Sequence, residues 1–108
     1  MKIAVSSKGK STKDQVDARF EKCRCFILIN PSDFDDMTIL ENPSEQNGDD
    51  GAAAGKMIAD AGADAVITGA LAPDAFEYLK SRNVKVYLGA LESHTVRQAI
   101  LEYHGKIM

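Results

Sequence analysis

The chain contains no tryptophan, and only 6% of its residues are aromatic. Its interior must therefore be built mainly from Ile, Leu, Val, Ala and Met rather than from stacked rings. No stretch approaches the roughly 20 apolar residues that a membrane-spanning helix needs, so no membrane partner is expected. The opening Met1-Lys2-Ile3-Ala4-Val5 has the pattern of a first strand rather than of a signal peptide, which sets the expectation of a cytoplasmic protein. Positive charge is not in excess: 13 Lys and Arg stand against 16 Asp and Glu, for a net charge of −3. With no basic stripe and no interleaved aromatics, the chain has no electrostatic footprint for a nucleic-acid partner. Histidine and cysteine are scarce. Two histidines, His94 and His104, lie on or beside the last helix, and no paired Cys-x-x-Cys or His-x-x-x-His spacing occurs, which argues against a closed four-ligand zinc site and leaves open one that gives a single thiolate to a preformed cluster. Cys23 and Cys25 are two residues apart. In a strand they would face the same side, a disulfide between them would be strained, and in a reducing compartment they are thiols.

What is present describes a single globular domain over residues 1–108. With 44% hydrophobic and 27% charged residues, it is long enough to bury about two-thirds of its unfolded surface. Its most informative feature is a repeat. Ala65-Val66-Ile67-Thr68-Gly69-Ala70-Leu71 and Lys85-Val86-Tyr87-Leu88-Gly89-Ala90-Leu91 are both short β-branched or aromatic runs that stop at Gly-Ala-Leu and pass into a helix. That order requires parallel strands with right-handed crossovers, and in such sheets ligands sit outside the carboxyl ends of the strands.

Three further strands precede this repeat: Lys2 to Ser6, Cys25 to Ile29, and Met37 to Glu41. The last two are joined through a Pro31-Ser32-Asp33 turn as an antiparallel hairpin. Helical spacing follows at Ala54, Met57, Ile58 and Ala61, at Ala72, Ala75, Phe76 and Leu79, and at Val96, Ala99, Ile100 and Tyr103. Gly62, Asn83 and Gly105 are the expected helix stops. Pro73 suits a first turn, and Thr95 with Gln98 forms a capping box. The order βββαβαβα predicts an α/β fold: a mixed five-stranded sheet in the order 3-2-1-4-5, only strand two antiparallel, with helices on both faces. Ser6-Ser7, Arg19 to Cys23, Asn42-Pro43, Gly69 to Pro73 and Gly89 to Leu91 then share one rim, and the gap between strands one and four is the topological switch point.

Catalytic motifs are thin. Gly48 to Lys56 fails as a phosphate loop, because Asp50 stands where the second glycine belongs and Met57 where a magnesium-binding hydroxyl belongs. Ser6 and Ser7 have only His94 within prospect as a base, and Asp33, Asp35 and Asp36 crowd a hairpin turn at the far end of the sheet. A small hydrolase using Ser6 or Ser7 is the weakest reading. The amides at Gly69-Ala70-Leu71-Ala72-Pro73 open a helix toward the rim and suit an anion, although Asp74 and Glu77 already offset that dipole. Cys23, in a turn beside Arg19 and Lys22, is expected to ionise readily and to be a metal-binding thiolate, with Cys25 as packing.

Met1 to Ser7, Val16 to Phe26, Glu41-Asn42-Pro43, Ala65 to Phe76 and Val84 to Leu88 together resemble the dinitrogenase iron–molybdenum cofactor biosynthesis family over nearly the whole chain. The resemblance implies a ribonuclease-H-like three-layer sandwich without that enzyme's carboxylate cluster. It also implies a non-catalytic protein that binds or carries the iron–molybdenum cofactor, an iron–sulfur precursor or a similar anionic ligand among cofactor-assembly proteins. The family's usual His-Phe-Gly-Arg, followed by Ala or Cys, reads here as Arg19-Phe20-Glu21-Lys22-Cys23. An anionic ligand held by Arg19 and Lys22 is consistent with that departure. The ligand-binding residues expected are Ser6, Ser7, Arg19, Phe20, Lys22, Cys23, Asn42, Gly69, Ala70, Pro73 and Gly89, with Cys23 as metal ligand. A ligand-sensing or protein-interaction module unrelated to nitrogenase is the alternative.

Overall fold

The computed structural model describes residues 1–43 and 52–107, with side chains up to Tyr103. The elements are β1 (Ile3–Ser7), β2 (Cys25–Asn30), β3 (Asp33–Glu41), α1 (Ala52–Asp60), β4 (Ala65–Ile67), α2 (Pro73–Ser81), β5 (Lys85–Tyr87) and α3 (Val96–Ile107). They form one five-stranded sheet in the order β3-β2-β1-β4-β5. β1 pairs antiparallel with β2 and parallel with β4, β2 pairs antiparallel with β3, and β4 pairs parallel with β5. The strand order and directions expected from the sequence are those found.

Alternation along the strands divides the apolar residues between two layers. Ile3, Val5, Ile27, Ile29 and Ile67 face one side, where Val96, Ala99 and Ile100 of α3 pack on them. Ala4, Phe26, Leu28 and Val66 face the other, against Ala54 and Ile58 of α1 and Ala75 and Leu79 of α2. β1 is the central strand, and all five of its residues are buried. A strand covered on both faces has no polar alternation to show, which accounts for the unbroken Ile3-Ala4-Val5 run.

The helix ends follow local chemistry. Gly62 and Asn83 take φ values of 88° and 63°. The amides of Ala63 and Val84 then reach back to the carbonyls of Ile58 and Leu79 at 3.3 and 2.9 Å, closing the C-termini as left-handed caps do. At the start of α3 the capping box is complete: Thr95 N–H donates to Gln98 Oε1 at 2.8 Å and Gln98 N–H to Thr95 Oγ1 at 3.1 Å. Gly105 does not stop its helix, since α3 continues to Ile107. Glycine weakens a helix interior by about 1 kcal/mol but forbids nothing there.

β3 is longer than the sequence suggests. It begins at Asp33 rather than Met37, so the turn shrinks to Pro31-Ser32, with an irregular register between Ile29 and Asn30. Asp33, Asp35 and Asp36 are therefore strand residues with exposed side chains, and strand pairing needs only their backbones. Of the Gly48-to-Lys56 segment, residues 48–51 lie outside the described residues, and Ala52 to Lys56 open α1. Among the described residues, no helix is long and apolar enough to cross a membrane.

Candidate functional site

The carboxyl ends of β1 and β4 meet across a buried polar floor. Ser6 Oγ donates to the Asp17 carbonyl at 2.6 Å and lies 2.8 Å from Thr68 Oγ1, so the hydroxyls of adjacent parallel strands satisfy one another. Ser7 Oγ turns the other way, donating to the Gly9 carbonyl at 2.6 Å and accepting from the Gly9 amide at 3.2 Å. Both serines have no exposed surface, and the His94 ring faces Glu102 of α3, with Nδ1 3.2 Å from Oε2.

Over this floor the segment 16–23 lies as a strap. The Asp17 amide donates to the Ser6 carbonyl at 3.0 Å, the Ala70 amide to the Ala18 carbonyl at 2.8 Å, and the Phe20 amide to the Ala70 carbonyl at 3.2 Å. These bonds make Arg19 a parallel bridge partner of Ala70. Side chains then fasten the strap. The Ala72 amide at the start of α2 donates to the Glu21 carboxylate, and Ala72 itself provides no side-chain cap for that helix. Asn42, just past β3, sends Nδ2 to the Cys23 carbonyl at 2.8 Å and the Phe20 carbonyl at 3.2 Å. Phe20 turns inward and meets Phe26, with ring centroids 4.9 Å apart.

Close approach explains Gly69. A Cβ there would stand 2.5 Å from the Ala18 Cβ and 2.7 Å from the Ala18 carbonyl oxygen, so any side chain would push the strap off the sheet. Gly89 adopts φ 89° and donates its amide to the Gly69 carbonyl at 3.0 Å. The two Gly-Ala-Leu repeats of the sequence therefore touch each other at the rim.

Electrostatically the strap presents cations. Arg19 and Lys22 are exposed, as are Ala70, Pro73 and Gly89. The Arg19 guanidinium, 65% exposed, binds both oxygens of the buried Asp17 carboxylate, Nε at 3.1 Å and Nη2 at 3.2 Å. Burial alone would raise the Asp17 pKa, but the Arg19 side chain, its amide and the nearby Lys8 outweigh that and hold the carboxyl below its ordinary range. The Cys23 thiol behaves otherwise than the sequence suggests. Cys23 is fully buried, donating to the Phe20 carbonyl at 3.4 Å. Burial, and after it the Asp17 charge, push its pKa up to about 12. The expected activation by Arg19 and Lys22 fails because those cations point to solvent while the thiol points into the core. Cys25 is also buried, and its pKa too is raised by desolvation. Among the described residues, no three His, Cys, Asp or Glu side chains cluster closely enough to hold a metal ion.

The expected rim residues are thus brought together, but in two tiers. Ser6, Ser7, Phe20, Cys23 and Asn42 are buried scaffold, whereas Arg19, Lys22, Ala70, Pro73 and Gly89 face solvent and Gly69 is half-buried. The sequence reading missed Asp17, Thr68 and Glu92, whose Oε2 takes the Ala18 amide at 2.9 Å. Asp17 had a local signal: its Oδ1 accepts the Arg19 amide two residues on at 2.9 Å, the turn chemistry open to any Asp. Glu92 had none.

A strap across the switch point, carrying Arg19-Phe20-Glu21-Lys22-Cys23 on this sheet order, coincides with a family model described as dinitrogenase iron–molybdenum cofactor, matched over residues 1–106. The chain belongs to that family. Its fold is similar to that of the orange protein from Desulfovibrio gigas, solved in its apo form. That similarity has 30% sequence identity and a TM-score of 0.87 over 98% of this chain and 88% of that one. It is also similar in fold to a Thermotoga protein solved by NMR and described as a NifB protein of the DUF35 family. There the identity is 24% and the TM-score 0.75, over 97% of this chain and 87% of that one. No protein of curated function matches the chain.

Proposed function

We propose that this chain is a non-catalytic binding or carrier protein of the dinitrogenase iron–molybdenum cofactor family. Its cargo is the iron–molybdenum cofactor, an iron–sulfur precursor or a similar anionic ligand, and it works among cofactor-assembly proteins. We read its architecture as a ribonuclease-H-like three-layer sandwich. The observation that carries the functional reading is the strap: Arg19 is backbone-paired to Ala70 at the switch point and leaves its guanidinium 65% exposed, with Lys22 exposed three residues on. Open α/β sheets bind ligands at this place, and the Arg19 Nη1, which Asp17 does not engage, offers charged donors to an anion together with the exposed Lys22.

The cargo is held as a whole anion rather than through a set of protein ligands. Both thiols are buried and disfavour the thiolate, so Arg19 and Lys22 are the binding residues, and Ala70 with the backbone around Gly89 supplies the rest of the surface. A non-catalytic role is supported by the serines, whose hydroxyls are consumed inside the fold.

The test is anaerobic incubation with isolated iron–molybdenum cofactor and, separately, with ferrous iron and sulfide, followed by gel filtration, metal analysis and absorption spectra. Co-elution of one metal species is expected. It should fall at least tenfold in affinity in Arg19→Ala/Lys22→Ala and survive in Cys23→Ser. Binding that ignores both cations, or that disappears with the Cys23 sulfur alone, overturns the reading.

A further inference from the structure

At the β5 edge of the sheet, α2 and β5 border an open cleft of about 550 Å³, lined by Phe76, Lys80, Asn83, Val84 and all three residues of β5. The lining of β5 is informative. Successive strand residues point to opposite faces, so side chains on one face cannot account for a cavity that touches Lys85, Val86 and Tyr87 together. The cleft must be bounded by the edge of the strand itself. β5 is the last strand of the sheet. The Lys85 amide donates to the Asp64 carbonyl at 3.0 Å and the Tyr87 carbonyl accepts from the Thr68 amide at 3.1 Å, so both residues turn their backbones toward β4. By the same alternation, the N–H and C=O of Val86 between them point outward into the cleft.

We propose that this edge is a docking site for an extended acidic segment of a partner polypeptide, which adds to the sheet beside β5 and lays apolar side chains against Phe76. Charge selects that occupant. Among the described residues, the charged residues of the lining are the exposed lysines Lys80 and Lys85, with no carboxylate beside them, although the chain as a whole carries −3. Lysines on a short edge strand repel a second copy of the same edge, and they attract a strand with carboxylates at alternate positions. A three-residue strand offers few backbone bonds, so the docking is transient. Among the described residues, neither Arg19 nor Lys22 lines the cleft, and the inference stands apart from the cargo.

Titration of the ¹⁵N-labelled protein with a capped heptapeptide alternating glutamate and valine tests it. Saturable amide shifts centred on Val86 and the C-terminal half of α2 are expected. They should weaken at least tenfold in Lys80→Glu/Lys85→Glu, whose solvent-facing changes leave the circular dichroism spectrum unchanged. A peptide alternating lysine and valine should not bind, and N-methylation along one edge of the acidic peptide should abolish binding. Absence of saturation, shifts mapping elsewhere, equal binding by the lysine peptide, or indifference to N-methylation each overturn the proposal. Indifference to N-methylation would mean an amphipathic anion fills the cleft without strand pairing.

Discussion

The Glu21 carboxylate accepts the amide of Ala72 across 51 positions of sequence. The strap residue thereby does for α2 what the N3 carboxylate of a capping box does elsewhere, taking the amide of the N-cap residue, and Ala72 makes no side-chain cap of its own. A negative charge at this end of a helix is stabilising through both the hydrogen bond and the dipole. Glu21→Ala should lower stability by about 1 kcal/mol, the ordinary loss for a helix cap. Urea unfolding with an unchanged m-value checks this, and Glu21→Gln should recover part of the loss because an amide oxygen still accepts.

Asn42 ties the end of β3 to the strap through the carbonyls of Phe20 and Cys23, and is buried. In Asn42→Ala the carbonyls of Phe20 and Cys23 lose a donor where water does not reach. The cost of leaving buried polar groups unpaired is about 1–3 kcal/mol. Denaturant unfolding should show that loss, and hydrogen exchange should locate it in residues 19–23. An Asn42→Ala protein as stable as the wild type would remove Asn42 from the strap's support.

The Cys23 thiol should resist alkylation. With a pKa near 12, on the order of 10⁻⁴ of it is thiolate at pH 8, and only the thiolate reacts. Iodoacetamide should label neither Cys23 nor Cys25 at an appreciable rate without denaturant. The same shift makes stability depend on pH. An unfolded thiol ionises near 9 and the folded one near 12, so over that window the unfolded chain binds fewer protons and stability falls as pH rises. Urea midpoints measured from pH 8 to pH 11 should drop more steeply in the wild type than in Cys23→Ala.

Asp17 works in the opposite direction. Its folded pKa lies below 3.8 through Arg19 despite burial. Its contribution is present above the unfolded pKa and is lost as pH falls through the folded value. Arg19→Gln removes the guanidinium and leaves the carboxylate with the backbone donor at position 19. Its acid-unfolding midpoint should move to higher pH, and Asp17→Asn should abolish the difference between the two backgrounds. Coincident acid transitions of wild type and Arg19→Gln would show that the pair has no such role.

Periodicity and end chemistry by themselves determined the elements and their order. The Gly-Ala-Leu repeat fixed two parallel crossovers, the short hairpin fixed β2 as antiparallel, and the Thr95–Gln98 box and the stops at Gly62 and Asn83 depend on residues within a turn of one another. Those features were legible because each is decided by local sterics and by the 2.0 and 3.6 residue periods. The extent of β3 was not, because its acidic residues pair through backbone that carries no side-chain signal. Tertiary structure alone decided the state of each rim residue. Whether Cys23 meets cations or core depends on the strap's path over Ser6 and Thr68. That path is set by the Ala18–Ala70 backbone bond, the absence of a Cβ at Gly69, and Glu21 and Asn42 reaching from distant positions. Distance along the chain hides such contacts, and burial and the sign of a pKa shift follow from them.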